Sequence, residues 1–129
     1  MSIQLNHTIV HASDPRASAR FLAELLGLGG PGPFRPFPGG KLDNGVTLDY
    51  IQAEGKPETE HYAFLVSDEE FDQIFERIQA RGLTYWADPG RRQPGEINHH
   101  FGGRGVYWAD PDGHYLEIVT KPYSKWSEI

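Results

Sequence analysis

Two histidines and two carboxylates recur at matching places in this chain: His7 and His61, Asp49 and Glu117. His7 precedes Ser13-Asp14 by the interval that separates His61 from Ser67-Asp68, and NGVTLD at 44–49 matches DGHYLE at 112–117. Phe21 answers to Phe75, and Gly27-Leu28 to Gly82-Leu83. Such a repeat places its members at equivalent positions in two copies of one supersecondary unit. His7, His61 and Glu117, converging from three strands, are the donor set that holds Fe(II) or Mn(II) and leaves adjacent coordination positions open. Zn(II) or Ni(II) accept the same ligands. A substrate with two neighbouring oxygens can chelate in the open positions and be polarised by the metal. Taken singly, each histidine reads first as a core residue bonded to backbone; the repeat equivalence of the set favours metal.

The elements that must carry these groups follow from local patterns. Ile3 to His11 alternates as a strand. Ser13 or Asp14 then offers an N-cap, Pro15 fits the first helical position, and Phe21, Leu22, Leu25 and Leu26 form an apolar stripe ending at Gly27. From Gly29 to Gly40, with Phe34 and Phe37, the chain reads as a loop and a short irregular strand. Asn44-Gly45 is a hairpin turn signal before a strand over 46–52. The pattern then restarts: a strand over 61–66, a capping box at Ser67 to Glu70, a helix with Phe71, Ile74, Phe75 and Ile78 inward and Gly82 as its stop, and a strand over 83–87.

Arg104 to Lys121 closes the chain's ordered pattern as a hairpin. Pro111 presets φ after Asp110, and Gly113 supplies the left-handed residue of a three-residue loop. That loop pairs 109 with 115, 107 with 117 and 105 with 119, so Tyr107 lies opposite Glu117. Val106, Trp108, Leu116 and Ile118 fall on the other face, which suggests one side against a helix and one lining a cavity. A carboxylate among apolar strand residues needs a hydrogen bond, an ion pair or a metal. His114 flips off the Glu117 face and reads as a structural hydrogen-bonder. The fold class is therefore α+β: two tandem βαβββ modules, 1–54 and 55–121, enclosing a cavity in one domain of 1–121, with a tail at 122–129 whose Tyr123 and Trp126 cover a pocket or a partner, or fray.

Composition narrows the partners. Twelve Lys plus Arg against eighteen Asp plus Glu give a net charge of −6, with no basic run to follow a phosphate backbone, so no nucleic acid is expected. No apolar stretch approaches the roughly 20 residues of a membrane span, and the N-terminus lacks a signal peptide's regions, which makes the cytoplasm the default and a membrane partner unexpected. With Cys 0, a disulfide, a thiolate nucleophile and Cys-ligated metal are all excluded.

LNHTIV at 5–10, EHYAFLVSD at 60–68 and YWADPDGHYLEIV at 107–119 resemble the vicinal oxygen chelate superfamily, which includes glyoxalase I, bleomycin resistance proteins, extradiol dioxygenases and fosfomycin resistance thiol transferases. The resemblance implies two βαβββ modules, a divalent metal on His7, His61 and Glu117, and a homodimer in which the first module of one chain completes the site on the second module of the other. Asp49 occupies the position of glyoxalase I's fourth ligand and is a possible fourth here. Tyr107 matches a tyrosine of the dioxygenase and transferase pockets, able to donate to a substrate oxyanion. The dioxygenases also place a histidine before this hairpin, where His99 and His100 stand. A second dioxygenase histidine is absent around Thr47, and Ile9 replaces the catalytic threonine of the transferases. Asn98, Arg104 and Thr47 are the expected substrate contacts. The long segment 88–103 suggests a lid or substrate-binding role, with Arg91 and Arg92 read as solvated surface cations rather than contacts to a substrate carboxylate. The implied activity is that of a metal enzyme on a small oxygenated molecule, ring-cleaving dioxygenase chemistry leading. A glyoxalase I-like lyase or isomerase, a thiol transferase, and a metal-free drug-binding protein are the alternatives.

Overall fold

The computed structural model describes residues 3–28 and 39–122. Phe34, Phe37, Tyr123 and Trp126 lie outside them. The chain divides into two compact units, Met1–Glu58 and Thr59–Ile129.

In the first unit, β1 (His7–Ala12) leads to α1 (Pro15–Leu26), then β2 (Gly39–Lys41) and β3 (Thr47–Gln52). Asp14 is the N-cap, its side chain accepting from Ala17 N–H at 3.1 Å, and Pro15 follows at the first helical position, where its missing N–H has no cost. The strands order β1-β3-β2, with β1 parallel and β2 antiparallel to β3. Val10, Ala12, Leu48 and Tyr50 are buried, as are Leu22 and Leu25 of α1. The opposite face carries His7, Ile9 and His11, all exposed, beside half-buried Thr47 and Asp49.

The strand expected over 3–11 begins only at His7. Its partner β3 starts at Thr47, just after the Asn44-Gly45 turn, so among the described residues those before Asn6 meet no neighbouring strand. Ile3 and Leu5 are accordingly exposed.

The second unit runs β4 (His61–Leu65), α2 (Asp68–Ala80), β5 (Tyr85–Trp86), β6 (Gly105–Ala109) and β7 (Tyr115–Val119), with sheet order β4-β7-β6-β5. The capping box is present: Ser67 Oγ accepts from Glu70 N–H at 3.1 Å, and Glu70 Oε1 from Ser67 N–H at 2.9 Å. Phe71, Ile74 and Ile78 of α2 are buried with Phe64, Val106, Trp108, Leu116 and Ile118 of the sheet. Each such side chain contributes about 1.5–3 kcal/mol of burial free energy. Contact between Phe75 and Tyr85, ring centroids 5.0 Å apart, puts α2 on the Trp108 side, because Tyr85 pairs with Trp108.

The hairpin has the register that its turn demands: Gly105 with Val119, Tyr107 with Glu117, Ala109 with Tyr115. Gly113, at φ 88°, donates its N–H to Asp110 O at 2.9 Å, and Asp110 N–H meets His114 O at 3.0 Å. The two units share one pairing scheme. His7 pairs with Thr47 and Ile9 with Asp49; correspondingly His61 pairs with Tyr115 and Ala63 with Glu117. The strand expected over 83–87 is reduced to Tyr85–Trp86. Among the described residues the first unit has two strands after its helix, the third expected strand falling in the segment 29–38 that is not described.

Candidate functional site

On the face of the second sheet away from α2, a row crosses the strands: Trp86, Tyr107, Glu117 and Ala63. The next row holds Ala109, Tyr115 and His61. Alternation along each strand sets these side chains on one side, with the core residues on the other.

Glu117 is 0% exposed, and its Oε1 lies 2.9 Å from Nε2 of His61, whose side chain is 46% exposed. A carboxylate removed from water costs several kcal/mol unless its oxygens are matched. Here the match is an imidazole nitrogen whose own ring reaches solvent. Tyr107, 6% exposed, flanks the pair, its ring 5.7 Å from that of His61 between centroids and tilted by 44°. The donors fit a divalent ion: a 2.9 Å separation is that of two neighbouring ligands each about 2.1 Å from a common metal. An imidazole and a carboxylate are also the hard-to-intermediate donors that Fe(II), Mn(II) and Zn(II) accept.

His7 belongs to the first unit, where its Nδ1 lies 2.7 Å from Asn6 Oδ1 and the residue is exposed. Among the described residues of a single chain, no group of three or more His, Asp or Glu side chains is gathered to hold a metal. The structure thus brings His61 and Glu117 together, and sets His7, Thr47 and Asp49 on the open face of the first sheet.

His114 acts from beneath. It is 1% exposed, and its Nδ1 accepts Glu60 N–H at 3.0 Å, which leaves the ring proton on Nε2. Tyr115 N–H returns to Glu60 O at 2.8 Å, so the residue before His61 is fastened to the turn before Glu117. Asp110 Oδ1 in turn accepts the N–H groups of Asp112 and His114, both at 2.9 Å. Burial pushes the Asp110 carboxyl above its ordinary value, the backbone hydrogen bond from His114 opposing this. Burial also raises Tyr62, with the charges of Glu60 and Asp110 adding to the effect.

Two expected substrate contacts have other work. The Arg104 guanidinium donates to Asp72 Oδ1 at 2.7 Å, to Asp68 Oδ1 at 3.2 and 3.3 Å, and to Asp68 O at 2.9 Å, and it lies 4.3 Å from the Phe71 ring centre. Arg104 immediately precedes Gly105, so alternation sends its side chain to the α2 face, opposite Glu117. The hydrogen bond to Asp72 foremost raises its pKa. Asn98 is 9% exposed; its Nδ2 donates to Ala87 O at 2.8 Å and its Oδ1 accepts His100 N–H at 3.3 Å. It sits on the Tyr107 face but serves to pin the segment carrying His99 and His100. Those two imidazoles are exposed, at the entry to a 3₁₀ turn, His100–Gly102.

The segment 88–103 is more ordered than a plain loop. Trp86 bridges Pro94, and Asn98 bridges Gly105. Asp88 accepts the N–H groups of Arg92 and Gln93, and Arg91 N–H meets Asp88 O at 3.3 Å. Arg91 takes φ 58°, a left-handed conformation that costs a non-glycine residue about 1 kcal/mol or more. Arg91 is exposed, as read from the sequence, and its guanidinium in addition lies 4.3 Å from the Tyr115 ring centre and 4.9 Å from that of Trp86. Asp88-Pro89-Gly90 carries the same turn chemistry as Asp110 to Gly113, and this was the available sign that Trp86 begins a second hairpin.

The βαβββ order of the second unit and the matching strand pairing of the first define a two-module α+β fold, with the imidazole–carboxylate pair on the second module. A family model, Glyoxalase/Bleomycin resistance protein/Dioxygenase superfamily, matches residues 4–118, and the chain belongs to that family. Among solved structures, "Oxidase ChaP-H1" is 61% identical, covering 96% of this chain and 100% of that one with a TM-score of 0.92. "Oxidase ChaP-H2" is 58% identical over 97% and 98%, TM-score 0.92. The glutathione transferase FosA of Serratia marcescens is 33% identical over 88% of this chain and 78% of its own length. These relatives are named as enzymes. Among the described residues no helix is long and apolar enough to cross a membrane.

Proposed function

We infer that this protein is a metal-dependent oxidase whose substrate is a small molecule with two neighbouring oxygens, a catechol-type diol in the ring-cleaving form of the reaction. The observation that carries the reading is the buried Glu117 oxygen held 2.9 Å from a half-exposed His61 nitrogen, in a chain 61% identical to a protein named an oxidase. His61 and Glu117 hold the ion, with His7 from a second copy of the chain as third ligand and Asp49 as a possible fourth. Fe(II) is the favoured ion, Mn(II) next; when bound it supplies Lewis-acid polarisation and, for iron, redox access to O2.

The chain's own groups do the rest. Tyr107 donates a hydrogen bond to the substrate oxygen that carries negative charge, where low exposure strengthens the interaction. His99 and His100, exposed at the entry to the 3₁₀ turn, take up the proton released from the diol. Thr47, the strand partner of His7, is a substrate contact from the first unit of that second copy. The overall change balances without a further reductant: the diol and one O2 give either the ring-opened product containing both oxygen atoms or a quinone and hydrogen peroxide.

The test is oxygen uptake by anaerobically reconstituted Fe(II) protein on simple catechols. Uptake that disappears with Glu117→Ala and His61→Ala is the expected result; no uptake with any catechol under full iron loading overturns the reading. FosA-type thiol transfer is the second reading, favoured by the 33% identity, and glutathione consumption by Mn(II) protein in place of oxygen uptake would establish it.

A further inference from the structure

The Arg91 guanidinium lies on the face of the second sheet that bears His61, Tyr107 and Glu117. It spans Trp86 and Tyr115, at 4.9 and 4.3 Å from their ring centres, and among the described residues its hydrogen-bond acceptor is Gly113 O at 3.3 Å. Both rings belong to the face that bears Tyr107, Glu117 and His61: Trp86 pairs with Tyr107, and Tyr115 precedes Glu117 by two residues. An arginine has five N–H donors, and a single long contact to a carbonyl leaves most of them for water or a ligand. The backbone at Arg91 is held left-handed by a turn that Asp88 braces through the N–H groups of Arg92 and Gln93. A strained residue held in place by its neighbours, on the face that bears a site, is one way proteins preorganise a ligand contact. The planar fork of guanidinium donors matches a carboxylate in two parallel hydrogen bonds.

Spacing indicates what else the ligand carries. Tyr115 and Glu117 are two residues apart on β7, about 6.6 Å along the strand. The guanidinium, over Tyr115 and bonded to Gly113 O, lies toward the turn end of the face that carries Glu117, so one ligand meeting both groups has to extend along β7. The rings of Trp86 and Tyr115 hold the guanidinium on that face.

We propose that Arg91 is a substrate-positioning residue that pairs with a carboxylate on the aromatic ring whose vicinal oxygens reach the His61–Glu117 centre, making aromatic diol acids the preferred substrate class. This rests on the function proposed above, but its test reads binding rather than turnover. Full-length protein loaded with redox-inert Zn(II) is titrated calorimetrically with 3,4-dihydroxybenzoate and with its neutral counterpart 4-methylcatechol. Wild type binds the acid about 10-fold more tightly, as expected for a charge-assisted bidentate pair. Arg91→Met keeps the stem against the aromatics and brings the ratio to about 1 by weakening the acid alone, while Arg91→Lys retains part of the preference. A ratio near 1 in wild type, an unchanged ratio in Arg91→Met, or no binding of either compound overturns the assignment. Loss of the turn's structure would weaken both ligands equally and leave the ratio unchanged, which also counts against it. Oxygen uptake by the Fe(II) protein is scored separately: a preserved preference without uptake removes the oxidase reading and keeps Arg91, and uptake with an unaltered ratio does the reverse.

Discussion

Asn98 occupies the space that a side chain on Gly105 would need: a Cβ built on Gly105 would lie 2.7 Å from Asn98 Oδ1 and 3.0 Å from Nδ2. The amide cannot retreat freely, because it is bonded to Ala87 O and His100 N, and the backbones of the two residues exchange N–H···O bonds of 2.9 Å. Gly105→Ala should therefore destabilise by about 1–3 kcal/mol through overpacking. Urea denaturation checks this, and the double variant Gly105→Ala, Asn98→Ala should lose less than the two single losses added. Strict additivity would show that the contact carries no energy.

Arg104 is bound to α2, so its removal should cost stability and not substrate binding. Arg104→Met keeps an apolar stem over Phe71 while losing the pairs to Asp68 and Asp72, both of them largely exposed carboxylates. Exposed pairs of this kind are worth about 0.5–1 kcal/mol. The unfolding free energy should fall by that amount, more so at low ionic strength, with KM and kcat unchanged. A several-fold rise in KM at unchanged stability would return Arg104 to the substrate site.

The contrast between Arg104 and the hairpin marks what a sequence discloses about this fold. Tyr107 opposite Glu117 was legible because three turn residues fix the register, and every side chain's face follows from it. The Ser67–Glu70 capping box and the Asp14-Pro15 helix start were legible for the same local reason. The partners of Arg104 are on α2, more than thirty residues away, and no local pattern reports them. Arg91 between Trp86 and Tyr115 is likewise a tertiary contact, visible only once two hairpins lie in one sheet. Asn98 reads in the sequence as a substrate contact; its burial follows from the missing side chain of Gly105, which a strand pattern reads only as a weak position.

Asp110 sets a pH dependence with a definite sign. Its folded-state pKa is raised above 3.8 by burial, so between 3.8 and the raised value the folded protein holds a proton that the unfolded chain has lost. Stability from this group is full below 3.8 and falls as pH rises through the folded pKa. Asp110→Asn keeps an oxygen to accept the Asp112 and His114 N–H groups without a buried charge. At pH 7 the variant should be at least as stable as wild type in urea, and the gap should close as pH approaches 3.8. A variant less stable at neutral pH would mean that the ionised form makes a favourable contact outweighing its burial.

Glu117 decides between a metal ligand and a buried partner of His61. Glu117→Gln preserves shape and keeps an amide within hydrogen-bonding reach of His61 Nε2, now 2.9 Å from Oε1. Because the His61 side chain is 46% exposed, its nitrogen can be solvated, and the metal-free variant gains by losing a buried charge. Its melting temperature without metal should match or exceed that of wild type. Metal affinity should fall by more than about 100-fold, since loss of outer-shell partners alone costs 10–100-fold. Competition titration against a chelator, with Fe(II) and with Mn(II), reads the affinity directly. Unchanged affinity beside a lowered metal-free melting temperature would mark Glu117 as a structural acceptor for His61 and move the metal centre elsewhere.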